Sequence, residues 1–204
     1  MTATIGIISS GRGENLRYIL LAERDGYLPA QVKIVLADQP DAGALRIAQE
    51  FGVRHMYLDP AGRSREEYDQ QLVSHLEGAG VDLVVLTGYM RILSPRFVRH
   101  YKNRILNIHP ALLPSFRGLD AFSQALEHGV MWTGTTIHLV DEDVDHGPII
   151  YQMPVPVKRN DTHGSLKARI QRAEYRAYPR AIKMFIEGNP KVVGRKIVFE
   201  NGAK

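Results

Sequence analysis

The sequence of 204 residues contains no cysteine, a single tryptophan and no long apolar run. The absence of cysteine excludes disulfide bonds, thiolate catalysis and zinc sites built from cysteine ligands. The first residues carry no basic segment before an apolar run, and no stretch approaches the roughly 18 apolar residues that a membrane span requires. We therefore expect a cytoplasmic protein with no membrane partner.

The charges are numerous but are not concentrated in one segment. Lysine and arginine number 26 and acidic residues 22, giving a net charge of +4. The densest basic segment, residues 191–196, is expected to be the solvated face of a hairpin. This pattern favours small anionic ligands, and we expect no nucleic-acid partner.

Strand-like and helix-like segments alternate through the first half of the chain. Short β-branched runs predict strands at 5–9, 32–37, 53–58 and 81–88. Helical periodicity predicts helices at 14–25, 42–51 and 64–76, the last with Ser64 as N-cap and Glu67 at the capping-box position. This order predicts an α/β fold with a mostly parallel central sheet flanked by helices.

The second half continues with longer elements. Its pattern predicts a strand at 133–140, an acidic loop, a strand at 149–157 and a long helix at 166–186. A hairpin about Gly194 and Arg195 is predicted to end the chain. No linker separates independent domains, so residues 1–204 are predicted to form a single domain.

A glycine loop, Gly11-Arg12-Gly13-Glu14-Asn15, follows the first predicted strand and opens a helix. Backbone N–H groups at such a turn can bind an anion, but a plain tight turn explains the glycines equally well. The loop matches neither complete nucleotide-binding glycine motif. Glu14 suits the helix dipole but would repel a phosphate held by the same N–H groups.

A second polar segment stands at the end of a strand, where Asn107 and His109 lie two residues apart and Pro110 follows. Residues at this spacing share one side of an extended segment. No serine has a nucleophile-elbow context, and the histidines are too dispersed for a metal site. In a parallel sheet, ligands bind beyond the carboxyl ends of the strands, which is where this pair is expected.

An amide beside an imidazole fits acyl transfer to an amine. The amide stabilises the oxyanion of a tetrahedral intermediate, and the imidazole supplies a positive charge or moves a proton. Asp145, before the turn at Gly147 and Pro148, is the best candidate for a carboxylate that orients the histidine. The structural alternatives are a satisfied polar pair at a strand end and a solvated acidic turn.

Four segments carry a resemblance to a known family: "NIHPALLPSFRG", "GYMRILSP", "TGTTIHLVDEDVDHGPII" and "EYRAYP". In this order and spacing they resemble the phosphoribosylglycinamide formyltransferases, which transfer a formyl group from 10-formyltetrahydrofolate to the glycinamide amine in purine biosynthesis. The resemblance implies a Rossmann-like formyltransferase fold, 10-formyltetrahydrofolate as co-substrate and no metal. It divides the domain into a phosphate-binding half (1–100), a catalytic and folate half (101–188) and a terminal hairpin (189–204).

The resemblance also assigns site residues. The implied catalytic residues are Asn107, His109 and Asp145. The implied ribonucleotide contacts are Gly13, Glu14, Asn15, Gly88, Met90, Pro110, Gln171 and Glu174. The implied folate contacts are Arg65, Leu86, Met90, Arg91, Ile92, Leu93, Phe97, Ile105, Asn107, Val140, Asp141 and Asp145. For Arg65 a surface ion pair, and for the aliphatic residues core packing, are alternative interpretations.

Two positions depart from the family pattern, and several relatives share its chemistry. Glu14 stands where the family usually has serine or threonine, and Asp120 stands where many members have histidine. Methionyl-tRNA formyltransferases, formyltetrahydrofolate hydrolases and sugar-nucleotide formyltransferases are usually longer than this chain. The alternatives are a hydrolase, a formyltransferase for another amine and a nucleotide-binding module without catalysis. The oligomeric state stays open, and a homodimer is possible.

Overall fold

Strands rich in β-branched residues alternate with amphipathic helices along most of the chain. A computed structural model describes residues 2–200. Within it the chain forms two compact units, the first ending at Asn107 and the second beginning at Ile108. The boundary falls inside one strand, so each unit is described in turn.

The first unit has strictly alternating strands and helices. Its elements are β1 (Ala3–Ser9), α1 (Glu14–Arg24), β2 (Ala30–Ala37), α2 (Gly43–Glu50), β3 (His55–Tyr57), α3 (Arg65–Gly78), β4 (Leu83–Leu86), α4 (Pro95–His100) and β5 (Ile105–His109), which crosses into the second unit. The second unit adds α5 (Ala121–Glu127), β6 (Trp132–Leu139), β7 (Ile149–Pro156), α6 (His163–Glu187), β8 (Pro190–Val193) and β9 (Lys196–Phe199).

The first unit is organised around β1, which pairs in parallel with both β2 and β4. Ile5, Ile7 and Ile8 of this strand are completely buried. Strands covered on both faces by helices read as continuous apolar runs, and this explains why β4 and the second halves of β1 and β2 lack polar alternation. Parallel pairing also places the loops after β1 and β4 at the same edge of the sheet.

In the second unit β6 and β7 pair antiparallel, and α6 packs against them. A small core of Ala125, Val155, Leu166, Ile170 and Ala173 joins α5, β7 and α6. Helix α6 is 25 residues long, and one of its sides carries charged residues. Among residues 2–200, no helix combines the length and the apolar character needed to cross a membrane.

The observed sheet confirms the predicted fold class. Its seven strands are ordered β3-β2-β1-β4-β5-β6-β7, and every pair described in the first unit is parallel. The predicted capping box of α3 is present: Glu67 N–H donates to the Ser64 hydroxyl at 3.2 Å, and Ser64 N–H donates to the Glu67 carboxylate at 2.8 Å.

Two short helices, α4 and α5, were not expected from the periodicity. They span six and seven residues, too few for a clear amphipathic pattern. Each has a side-chain N-cap, Ser94 or Asp120, and α4 also begins with proline, which favours a helix start. The predicted terminal hairpin is present as β8 and β9, and residues 201–204 of that prediction lie outside the described residues.

The start of α6 carries a partly buried ion pair between Asp161 and Arg169. The Asp161 carboxylate accepts two hydrogen bonds from Arg169, at 2.6 and 2.8 Å, and further ones from Lys158 N–H and the Ser165 hydroxyl, both at 2.7 Å. The Arg169 guanidinium therefore holds the pKa of Asp161 far below its usual range. Its side chain is only 3% exposed.

We expect Asp161→Ala to lower the free energy of unfolding by about 2 kcal/mol, because it leaves Arg169 and two donors without their acceptor. Urea unfolding measures the change. Asp25→Ala is the control, since the Arg24–Asp25 pair is exposed and such pairs contribute less than about 1 kcal/mol. Equal losses in the two variants would contradict this role for Asp161.

Candidate active site

Strand β5 carries a buried apolar start and a polar end. Ile105 and Leu106 are core residues, whereas Asn107 is half-buried and His109 is 4% exposed. The alternation of a strand directs Asn107 and His109 to the same side. The strand thus presents an amide and an imidazole together at the point where the apolar sequence stops.

His109 and Asp145 form a buried side-chain pair inside the second unit. Its Nδ1 lies 3.1 Å from Asp145 Oδ2, and the two side chains are 5% and 10% exposed. On the other side of the ring, Nε2 lies 2.7 Å from the carbonyl oxygen of Phe116. Both partners are acceptors, so both contacts are hydrogen bonds only when the ring carries two protons.

Asp145 has two further partners. His138 Nε2 lies 3.6 Å from Asp145 Oδ1, and Gly118 N–H donates to Oδ2 at 2.9 Å. Burial favours the neutral acid, but the nearby His138 ring, the charge of His109 and the Gly118 N–H outweigh it and lower the pKa of Asp145. The carboxylate is therefore held in its ionised form between two imidazoles.

The turn before β7 places Asp145 in this position. Asp145 itself has a φ of 49°, in the left-handed region. Leu139 N–H donates to the Pro148 carbonyl at 2.8 Å, which closes the loop. A Cβ at Gly147 would lie 1.9 Å from the Leu139 carbonyl oxygen, so only glycine permits this close approach.

The loop after β5 is fixed by polar side chains from the neighbouring strands. The buried Thr136 hydroxyl donates to the Ala111 carbonyl at 2.7 Å and accepts from Leu113 N–H at 3.0 Å. Gln152 on β7 donates to the Leu113 carbonyl at 2.9 Å. These contacts hold the start of the segment that carries Phe116 and Gly118 to the His109–Asp145 pair.

The surroundings of His109 act on its pKa in opposite directions. Burial lowers the pKa of the His109 imidazole, and this effect exceeds the opposite influence of the Asp145 charge and the Phe116 carbonyl. A lowered pKa means that the ring releases its second proton easily. A buried carboxylate beside it can hold the resulting tautomer in place.

The first unit brings together most of the predicted ribonucleotide residues. Ser10 N–H donates to the Gly88 carbonyl at 3.3 Å, and Met90 N–H donates to the Ser10 hydroxyl at 2.9 Å, so the loops after β1 and β4 are adjacent. Gly13 has a φ of 80° and is the N-cap of α1, which has no side-chain cap. Glu14 and Met90 are exposed and Asn15 is half-buried.

The glycines of this loop also have a packing role. A Cβ at Gly13 would lie 2.6 Å from the Ala44 Cα, so the loop packs directly against the start of α2. This close packing agrees with the interpretation of the glycines as parts of a tight turn. It does not exclude anion binding, because the same turn leaves the N-terminus of α1 at the carboxyl edge of the sheet.

The remaining predicted ribonucleotide residues belong to the second unit. Pro110 follows His109 and is half-buried. Gln171 and Glu174 lie one turn apart on α6, and Glu174 is only 7% exposed. Their proposed contacts with ligand stay predictions.

The predicted folate residues of the first unit differ widely in exposure. Ile92 and Met90 are 58% and 67% exposed, whereas Leu86, Leu93, Phe97 and Ile105 are buried core residues. The Arg91 guanidinium lies over the Tyr68 ring, 4.9 Å from its centroid. Arg65 begins α3 and lies 3.8 Å from Glu66, which agrees with the ion-pair interpretation of this residue.

The predicted folate residues of the second unit lie on or beside the acidic loop, residues 141–146. Val140 is half-buried. Asp141 accepts from Asp143 N–H at 3.1 Å and lies 2.7 Å from His146 Nδ1. Asp145, in the same loop, belongs to the pair with His109. Among the described residues, no group of histidine or acidic side chains has the geometry to hold a metal ion.

His138 is the residue of this cluster to which the sequence analysis gave no role. It is 2% exposed on β6, and its Nδ1 contacts the Leu139 carbonyl at 2.8 Å. Its position in a strand buried almost throughout is a signal, because a buried histidine requires partners. The identity of that partner depends on how the acidic loop folds back, which periodicity does not reveal.

The geometry predicts how Asp145 controls the titration of His109. Because the carboxylate charge raises the His109 pKa against the effect of burial, Asp145→Asn should lower that pKa further. Titration of the His109 ring resonances by NMR measures this shift. Asp143→Asn is the control, since Asp143 lies near His146 instead. A His109 pKa that rises in Asp145→Asn would contradict the assignment.

Several known proteins are similar to this chain in sequence and fold. Residues 3–182 match the formyl transferase family. The phosphoribosylglycinamide formyltransferase of Escherichia coli is 41% identical over 189 residues, covering 92% of this chain and 89% of that protein. Glycinamide ribonucleotide transformylase 1 of Symbiobacterium toebii is 46% identical with a TM-score of 0.95, covering 97% of this chain and 94% of its own.

The same fold also occurs in a protein with a different name. A formyltetrahydrofolate deformylase of Pseudomonas syringae has a TM-score of 0.90 at 26% identity, and the match covers 98% of this chain and 66% of that one. The fold alone therefore does not select the formyl acceptor. The family match and the more similar relatives confirm the predicted resemblance: this chain belongs to the formyl transferase family.

Proposed function

We propose that this protein is a phosphoribosylglycinamide formyltransferase, which transfers the formyl group of 10-formyltetrahydrofolate to the amine of glycinamide ribonucleotide. The observation that carries the proposal is the buried His109–Asp145 pair, 3.1 Å apart, at the end of a strand that also presents Asn107. The relatives with 41% and 46% identity carry names for this same reaction. Both substrates are small molecules.

The reaction begins when the amine nitrogen attacks the formyl carbon and converts the carbonyl oxygen to an oxyanion. The Asn107 amide donates to this oxygen, and the protonated His109 ring supplies a second donor and a positive charge. The bond from carbon to N10 of the folate then breaks. The amine loses a proton and N10 gains one, so formyl glycinamide ribonucleotide and tetrahydrofolate are released.

The ionised state of Asp145 assists this proton transfer in two ways. Its lowered pKa keeps a negative charge beside His109, which stabilises the imidazolium that faces the developing oxyanion. The same carboxylate is the acceptor toward which the amine proton moves, directly or through one water. A protonated Asp145 would lose both roles.

Substrate must displace one of the present partners of His109, because both ring nitrogens are engaged. Asp145 is held by His138 and Gly118 as well, whereas the Phe116 carbonyl belongs to the loop after β5. We therefore assign the Phe116 carbonyl as the partner of His109 that the substrate displaces. The formyl oxygen then takes the hydrogen bond that Phe116 now accepts.

The phosphate of the ribonucleotide is assigned to the turn formed by Gly13, Glu14 and Asn15. The support is the uncapped N-terminus of α1, next to Gly88 and Met90. Gln171, Glu174 and Pro110 complete the ribonucleotide contacts. Glu14 adds a negative charge at this end, so binding of the phosphate is weaker than a serine would allow.

Folate is assigned to the segment 90–93 and the acidic loop. Arg91 and Leu93 offer backbone groups, and Val140 and Asp141 approach the pterin edge. The exposed side chains of Met90 and Ile92 support this assignment in the first unit, since they offer apolar surface to a planar ring. A cytoplasmic location and the absence of nucleic-acid and membrane partners remain part of the proposal.

The first test measures tetrahydrofolate formed from 10-formyltetrahydrofolate with and without glycinamide ribonucleotide. We expect formation only with the ribonucleotide, and His109→Ala should lower kcat by about 10³ because it removes the acid and its charge. His55→Ala, an exposed histidine of β3, should leave kcat within twofold. Turnover that does not require the ribonucleotide would identify a hydrolase instead.

A second test concerns the phosphate end. Glu14→Ser should lower the KM for glycinamide ribonucleotide roughly threefold to tenfold, because it removes a like charge near the phosphate and supplies a hydroxyl. The KM for folate should not change. Glu66→Ser, on α3, is the matched control for loss of an exposed acidic residue at a helix start. A higher ribonucleotide KM in Glu14→Ser would show that the carboxylate assists binding.

A further inference from the structure

The terminal hairpin, β8 and β9, contacts the acidic loop that carries Asp145. Arg195 lies in the turn of this hairpin, next to Gly194 with a φ of 60°. Its Nη2 donates to the His146 carbonyl at 2.7 Å, and its Nη1 contacts His146 Nε2. Arg195 thus contacts both the backbone and the ring of His146, the residue that follows Asp145.

His146 also contacts Asp141, so it links Arg195 to that carboxylate. Its Nδ1 lies 2.7 Å from Asp141 Oδ2, and its Nε2 faces Arg195. A guanidinium can only donate and a carboxylate can only accept. The neutral tautomer with hydrogen on Nδ1 satisfies both, so Arg195, His146 and Asp141 form a chain of charge-assisted hydrogen bonds.

The hairpin is fixed at its base, which gives Arg195 a defined position. Glu200 N–H donates to the Gly188 carbonyl at 3.0 Å, directly after α6. The Phe199 ring lies so close to Gly188 that a Cβ there would collide with it. Because β9 also lies against β7, the turn is held from two sides.

We propose that Arg195 is a positioning residue for the folate end of the site, where it clamps the acidic loop through His146 and Asp141. This proposal rests on the proposed function, which assigns the pterin edge to that loop. Arg195 acts through the loop and touches no reacting atom. Asp145 has its own support from His109, His138 and Gly118, so loss of the clamp affects folate binding more than the chemical step.

The first arm of the test needs no ligand. Amide hydrogen exchange at residues 141–146 should become faster in Arg195→Ala than in the wild type. Lys196→Ala is the matched control, because it removes a neighbouring positive charge of the same hairpin. Equal exchange in the wild type and Arg195→Ala would overturn the clamp itself, whatever the protein's activity.

The second arm measures steady-state kinetics with both substrates. Arg195→Ala should raise the KM for 10-formyltetrahydrofolate about fourfold, the size of effect that a partly exposed charged contact produces. The ribonucleotide KM and kcat should stay within twofold. Arg195→Lys should recover part of the loss, since it keeps one donor to the His146 carbonyl.

A double-mutant cycle links the effect to His146. In a background of His146→Ala, replacing Arg195 should raise the folate KM by a smaller factor than in the wild type, because the ring contact is already absent and only the contact with the backbone carbonyl of residue 146 remains to be lost. Additive effects would overturn the route through His146. A lower thermal midpoint with an unchanged folate KM would show that Arg195 only stabilises the hairpin. If the wild type itself shows no turnover, the proposed function fails while the exchange arm still decides the clamp.

Discussion

The ionised carboxylate of Asp145, held between two imidazoles, is the interaction on which the proposed chemistry of this protein depends. His109 and His138 approach it from opposite oxygens, and Gly118 N–H adds a third contact. Burial alone would raise the pKa of the acid, but these partners outweigh that effect and lower its pKa. The charge that results opposes the effect of burial on the His109 pKa without outweighing it.

Local backbone features provide this arrangement. Gly147 permits the acidic loop to pass against the Leu139 carbonyl, and the loop then turns Asp145 back toward β5. On the other side, the buried Thr136 hydroxyl fixes the loop that carries Phe116 and Gly118. Each polar group of the cluster therefore has its position set by backbone hydrogen bonds, which reduces the reorganisation needed during the reaction.

The fold class and the capping box of α3 could be predicted from the sequence, which also singled out Asn107, His109 and Asp145 as candidates. Periodicity and local caps depend on neighbouring residues, so they are visible without a structure. The role of His138 and the contact of Arg195 with His146 were not predicted. Both depend on which distant loop folds back onto a strand, and that is decided by tertiary packing rather than by a local pattern.

In the proposed function, an ionised Asp145 drives formyl transfer without contributing much to substrate binding. Single-turnover kinetics of Asp145→Asn, with both substrates saturating, test it most directly. We expect a loss of at least about 10³ in the transfer rate, with dissociation constants for folate and ribonucleotide changed less than about threefold. A transfer rate within tenfold of the wild type would contradict it.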